Sequence, residues 1–511
     1  MRKLGKGARS CIAAVAVWMA ISGGDALAKS AVESPLPALT GPDRVGRTLL
    51  YWTDESRADA DSPNGHREVA VWFWYPALPK QGATPAQWLP GKWADAFWSL
   101  FLKRFPSAEE YGRKHPVRDI VTRSYPDAPI ESGSQTYPVV LFAPGFGENV
   151  LHYATLLEDL ASHGYVVVGV DPTHYTGFGV LSDGRVPQDQ TEVSGHGSDD
   201  PIRHLIESHA VILGDEKFVL QQLEKLNVNA GPFKGRLDLA HVGSIGHSIG
   251  ASVATHIAAE DSHVVAAVNI DGTIAPGGSY PTKPLLILGE SGIPLEQSFY
   301  RAVQAAKPGY LLVMAGTSHN FSTDMGLMPF LPPEARKSQP HGNFPPPGPM
   351  PGSEGARPPP GSSEPGGGPA AGAMPGGNGV PIAMGAAPDS GGPGSGGPMP
   401  GGGGIPLPAG AVPNGGGPAP GGPQAAGPMP GNGGGPAGAV PFGTPGMTPS
   451  SGGKSHVMGF PTATVGSQHP ERTLADTRAY VEAFFDEYLK GKRTTLLDGP
   501  SPNYPDVSFK Y

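Results

Sequence analysis

The sequence predicts an α/β fold with a mostly parallel, doubly wound sheet, and three observations carry that expectation. From Tyr137 onward, continuous apolar runs alternate with segments of helical spacing. A β-branched run enters Gly246-His247-Ser248-Ile249-Gly250 and leaves as a small-residue stretch, the pattern of a sharp strand-to-helix turn. Between about Pro332 and Gly453 the chain is mostly Gly, Pro, Ala, Met and Ser, and an amphipathic stripe resumes beyond it.

Taken in order, the first segment has the layout of a secretory signal. Arg2, Lys3, Lys6 and Arg9 precede an apolar stretch from Cys11 to Ile21, and Asp25-Ala26-Leu27-Ala28 follows. The apolar run is too short to span a bilayer comfortably, so cleavage after Ala28 is expected, with no stable membrane span afterwards. Cys11 is the only cysteine, so the mature chain would hold neither a disulfide nor a cysteine nucleophile. The net charge of −9, with no Lys/Arg stripe, excludes nucleic acid as an expected partner.

Thr48 to Thr53 and Glu68 to Tyr75 read as an antiparallel hairpin at a sheet edge. The aromatics Trp88, Trp93, Phe97, Trp98, Phe101 and Phe105 fall in a stretch that can be helical. Core packing explains them more readily than a substrate entrance. Pro138 to Phe142 is a buried strand, Asn149 to Ser162 a helix stopping at Gly164, and Tyr165 to Val170 the next strand. Pro201 to Leu226 is a longer helix, and Val264 to Ile270, Leu285 to Leu288 and Leu311 to Met314 supply three further strands. Runs that are apolar at every position belong to a parallel sheet covered on both faces, and right-handed crossovers make it doubly wound.

The Gly/Pro-rich block, taken as residues 331–465, lacks a fixed period, so a collagen helix is excluded. It cannot bury enough apolar surface to offset its ordering entropy, and disorder is expected. At Thr473-Leu474-Ala475-Asp476 a capping-box-like start opens a helix with the stripe Leu474, Val481, Phe484, Phe485 and Tyr488, ending near Gly491. The block therefore reads as an insertion between a first part, 29–330, and a closing part, 466–511, of one domain. Closure entropy grows only logarithmically with loop length, so such an insertion leaves a fold intact. The sequence names no partner for it.

Ser248, between two glycines at a strand–helix junction, is the candidate nucleophile of an α/β-hydrolase fold. A serine hydroxyl needs a base, and the base an orienting carboxylate; in this fold the chain order is serine, acid, histidine. His319, in Gly316-Thr317-Ser318-His319-Asn320-Phe321, follows the last strand and stands where that order requires the base. His256 and His263 suit surface or packing roles, His247 is expected to point away from the serine oxygen, and His152 and His174 lie near loops beside the expected site and can contact substrate. Two carboxylates compete as the acid: Asp271 ends one strand and Glu290 the next, and spacing does not separate them. The oxyanion donors are expected to be the backbone N–H groups of Ile249, after the nucleophile, and Phe146, in Pro144-Gly145-Phe146-Gly147. No metal-ligand cluster is evident, and no cofactor is expected.

Together, Pro144-Gly145-Phe146-Gly147, Leu160-Ala161-Ser162-His163-Gly164-Tyr165, Gly246-His247-Ser248-Ile249-Gly250, Ile270-Asp271-Gly272 and Ser318-His319-Asn320-Phe321 resemble the plasma-type platelet-activating factor acetylhydrolases and their secreted bacterial relatives. The resemblance runs from about Val45 to Phe330 and includes the closing helix. It implies Asp271 as the acid, because in that family the acid follows the strand after the serine. It also implies a calcium-independent carboxylic-ester hydrolase acting on lipid-like or small acyl esters, secreted or periplasmic. The Gly/Pro-rich insertion is foreign to the family pattern. Two other functions are compatible with the same residues: acyl transfer from the same acyl-serine to an alcohol, and an idle hydrolase fold serving as an envelope binding module.

Overall fold

The computed structural model of the protein describes residues 34–188, 201–274, 279–291, 295–332 and 469–510. The signal-like segment 1–28 and the Gly/Pro-rich block beyond Pro332 lie outside the described residues. Leu331 is buried, so the packed core reaches one residue past the expected boundary at 330.

Strands β1 (Val45–Ala58) and β2 (His66–Pro76) form the expected hairpin, longer at both ends than the sequence signals indicated. The two-residue strand β3 (Tyr125–Pro126) pairs in parallel with β1 at the edge. The main run consists of β4 (Tyr137–Ala143), β5 (Val166–Asp171), β6 (Leu237–His247), β7 (Val264–Ile270), β8 (Leu285–Glu290) and β9 (Gly309–Met314), with β10 (Val507–Phe509) closing the chain. Among the described residues these ten strands form one sheet in the order β10-β9-β8-β7-β6-β4-β5-β2-β1-β3. From β5 to β9 every neighbouring pair is parallel; β2 joins β5, and β10 joins β9, antiparallel. The doubly wound α/β architecture is thus the one the alternating runs predict.

The period-two alternation of each strand builds two cores from one sheet. In β4, Val140 and Phe142 face one layer while Val139 and Leu141 face the other. The first layer is covered by α1 (Lys92–Arg104), α2 (Ala108–Lys114), α3 (Ala154–Ser162) and α7 (Pro470–Lys490), through Phe97, Ala108, Leu157 and Phe484 among others. The second is covered by α4 (Pro201–Val228), α5 (Ile249–Glu260) and α6 (Gln297–Ala305), through Leu223, Val253 and Phe299. Each fully buried Phe or Leu contributes about 2 kcal/mol relative to exposure, so the apolar runs of β4, β6, β7 and β8 are the main stabilising term.

The aromatic stretch is core, the reading the sequence favours: Phe330 packs edge-on against Phe97 at 5.7 Å and Phe101 at 5.5 Å, with Trp88 beside it. Two helices differ from their sequence readings. The helix expected from Asn149 is split into a 3-10 turn, Val150–Tyr153, and then α3. Asn149 Oδ1 accepts the Leu151 N–H at 3.0 Å and caps that turn. The last helix begins at Pro470, not Thr473, because proline at the first helical position has its φ preset and no N–H to satisfy. Among the described residues no helix is long and apolar enough to cross a membrane.

Candidate active site

Ser248 links β6 to α5 with φ 55° and ψ −123°, a conformation costing an L-residue roughly 1–3 kcal/mol unless its surroundings impose it. The two flanking glycines supply that constraint. A Cβ on Gly246 would stand 2.2 Å from the Gly250 carbonyl oxygen, and one on Gly250 would stand 2.2 Å from the Ala143 oxygen. The Ser248 N–H donates to Ile270 O at 3.0 Å, tying the turn to the end of β7.

His319, on the loop after β9, approaches from the neighbouring strand ends. Its Nε2 lies 2.9 Å from Ser248 Oγ and its Nδ1 lies 2.7 Å from Asp271 Oδ2. A carboxylate only accepts, so the ring proton sits on Nδ1 and leaves the Nε2 lone pair facing the serine hydroxyl. Burial draws the imidazole pKa down, but the hydrogen bond and charge of Asp271, with the charges of Glu290 and Glu148, outweigh it and hold it above the ordinary value.

Asp271 itself stands in a left-handed turn, φ 53°. Asn269 locks that turn from both sides, accepting the Gly272 N–H and donating to Gly272 O, each at 2.9 Å. Of the two carboxylates the sequence left in competition, Asp271 meets the imidazole. Glu290 donates its backbone N–H to Asp271 Oδ1 at 3.0 Å, and its own side chain is buried.

The loop after β4 is hydrogen-bonded at every N–H from 145 to 148 except one. Gly145 N–H goes to the Tyr153 hydroxyl at 3.2 Å, Gly147 N–H to Tyr175 O at 2.9 Å, and Glu148 N–H to Gly145 O at 2.9 Å. Among the described residues, Phe146 N–H and Ile249 N–H donate to no protein acceptor. Ile249 is the first residue of α5, where the helix dipole adds positive potential. The two donors expected from sequence are therefore unengaged, as is the Gly250 N–H that follows in the first turn of α5.

Several histidines take other places. His247 is buried, and burial, with repulsion from His319, pulls its pKa to about 3. His152 bonds Glu148 at 2.7 Å and stacks on Trp88, and His174 bonds Asp59 at 3.0 Å and Gln188 O at 2.8 Å. Both are buried among protein partners, which leaves little of either ring for the substrate contact that the sequence allowed. His256 pairs with Glu260 and His263 with Asp261. Tyr153 and Asn269 were not singled out from sequence; the signal for Asn269 was a lone amide ending an apolar strand.

Among the described residues, two groups place three potential ligand atoms within 4.8 Å of one another, Asp59–Asp61–His174 and Asp271–Glu290–His319. In each, a ring nitrogen already bonds a carboxylate. A cavity of about 790 Å³ lies at the opposite end of the sheet, beside Pro138, Asp238 and Lys490, and contains none of the site residues.

The sheet order, the strained serine between β6 and α5, and the histidine after β9 define the α/β-hydrolase class. Comparison with known proteins agrees. The model of the platelet-activating factor acetylhydrolase, isoform II, family matches residues 28–175, so the resemblance read from the motifs holds over that span. A probable 1-alkyl-2-acetylglycerophosphocholine esterase of Arthroderma benhamiae is 24% identical over 267 residues, 46% of this chain and 58% of that protein. The chain thus spans little more than half the length of that curated relative. A ferulic acid esterase structure from Streptomyces cinnamoneus superposes with a TM-score of 0.55 at 22% identity, covering 93% of this chain and 99% of that one, and shares the fold.

Proposed function

We propose that the protein is a secreted serine carboxylic-ester hydrolase acting on lipid-like or small acyl esters. The observation that carries this reading is the hydrogen-bonded series Ser248–His319–Asp271, at 2.9 and 2.7 Å, beside two undedicated backbone donors. His319 Nε2 takes the hydroxyl proton as Ser248 Oγ attacks the ester carbonyl. Phe146 and Ile249 N–H groups hold the developing oxyanion, where one such donor is worth about 3 kcal/mol of transition-state stabilisation. The imidazolium passes its proton to the leaving alcohol. Water, deprotonated by the same nitrogen, then releases the acid from the acyl-serine. Asp271 keeps the ring in the required tautomer.

The ester class is supported by the family matched over 28–175 and by the printed name of the fungal relative. Secretion rests on the basic and apolar segment ending at Ala28. The experiment is labelling by a fluorophosphonate probe together with hydrolysis of short-chain nitrophenyl esters. Both should vanish in Ser248→Ala, and full turnover in that variant would end the proposal.

A further inference from the structure

Beside the Ser248–His319–Asp271 series stands a carboxyl group with no step of its own in the reaction. Glu290 closes β8 and is buried at 2% exposure. Its backbone N–H donates to Asp271 Oδ1 at 3.0 Å. Its carboxylate lies within 4.8 Å of both the Asp271 carboxylate and an imidazole nitrogen of His319. We propose that Glu290 is a positioning residue for the base, its negative charge, added to that of Asp271, favouring the imidazolium. This rests on the esterase reading for its consequence, though not for its detection.

The physical argument is one of charge count. An imidazole that becomes a cation during acylation is stabilised by every nearby anion, and two carboxylates at short range stabilise it more than one. Burial, and then the Asp271 charge, push the Glu290 carboxyl up to about 7, with His319 opposing them. The groups facing this pair are Asp271 from the end of β7, Glu148 from the loop after β4, His247 from the serine turn, and Glu296, which acts through Asp271. Glu148 and Asp271 add to the effect of Glu290 on His319, and only His247 opposes it. Interacting groups of this kind release their protons in two steps that belong to the pair.

Two substitutions test the role of the charge. Glu290→Gln removes it at nearly constant shape, and Glu290→Asp keeps it. The His319 ring signals should be titrated by NMR in a Ser248→Ala background, and kcat/KM measured against pH in the enzyme with Ser248 intact. Glu290→Gln should titrate His319 in one step, lowered by about one pH unit, and move the acid limb of kcat/KM the same way with KM within about twofold. Glu290→Asp should leave both the titration and the limb in place. A His319 titration and acid limb unchanged in Glu290→Gln would overturn the proposal. A shift in Glu290→Asp as large as that in Glu290→Gln would overturn it as well, because the charge is retained there. The NMR arm reads without turnover, so failure of the esterase reading would appear separately, as absent probe labelling of Ser248.

Discussion

His247 donates from Nε2 to the backbone carbonyl of His319 at 2.8 Å, which fixes its tautomer and leaves Nδ1 to accept from Tyr153. The Tyr153 hydroxyl, 2.8 Å from that nitrogen, in turn accepts the Gly145 N–H. One relay therefore runs from the oxyanion loop through the serine turn to the base. Tyr153→Phe would leave a buried N–H and a buried ring nitrogen without partners, at a cost of about 1–3 kcal/mol each. Expected are a kcat reduced about tenfold with KM changed less than twofold, and a lower urea midpoint. Wild-type kcat in a folded Tyr153→Phe protein would show that the relay does not position the site.

The tight approach of α5 to the end of β4 gives a second test. Gly250→Ala would drive a Cβ to 2.2 Å from Ala143 O and 2.4 Å from Pro144 O, both backbone atoms. Neither can yield without shifting the serine turn and the oxyanion loop together. Loss of several kcal/mol of stability, of the order found for overpacked cores, and loss of probe labelling are expected. Chemical denaturation and labelling of whatever soluble protein is obtained would check both.

What was legible in the sequence was local, and what was not depended on how strands meet. The Gly246–Gly250 pattern is compressed into five residues because the turn's steric demands are local, so Ser248 could be picked out directly. The buried strands announced themselves as apolar runs for the same reason. Asp271 and Glu290 end adjacent parallel strands with equal claims, and only the left-handed turn at Asp271, locked by Asn269, aims one of them at His319. Tyr153 was invisible because its partners lie on the loop before it and on a strand 94 positions away. The aromatic stretch near Trp88 was ambiguous since helix spacing says which residues share a face, not what covers that face; Phe330 covers it.

The base sets the pH dependence. His319 acts only when neutral, and its pKa is held above the ordinary imidazole value of 6.5, so the acid limb of kcat/KM is expected above pH 6.5. Asp271→Asn should lower kcat by about 10⁴-fold by permitting the wrong tautomer. A limb at pH 5, or an Asn variant within tenfold of wild type, would remove this imidazole and carboxylate from the chemistry.

The loop carrying His319 is anchored a few residues later by Asp324, which is fully buried and accepts the Thr155 N–H, near the start of α3, at 3.2 Å. Burial lifts its carboxyl to about 7 from a reference of 3.8, against the pull of the Thr155 bonds. A raised folded-state pKa means that the native protein binds the proton more tightly than the unfolded chain. The contribution is therefore full below pH ~4 and is lost as pH rises through about 7. Asp324→Asn keeps an oxygen for Thr155 and cannot ionise. Relative to wild type it should gain on the order of 2 kcal/mol between pH 5 and pH 8, measured by urea unfolding at both values. If the wild-type and Asn curves stay parallel across that interval, Asp324 does not carry the proton that its burial assigns to it.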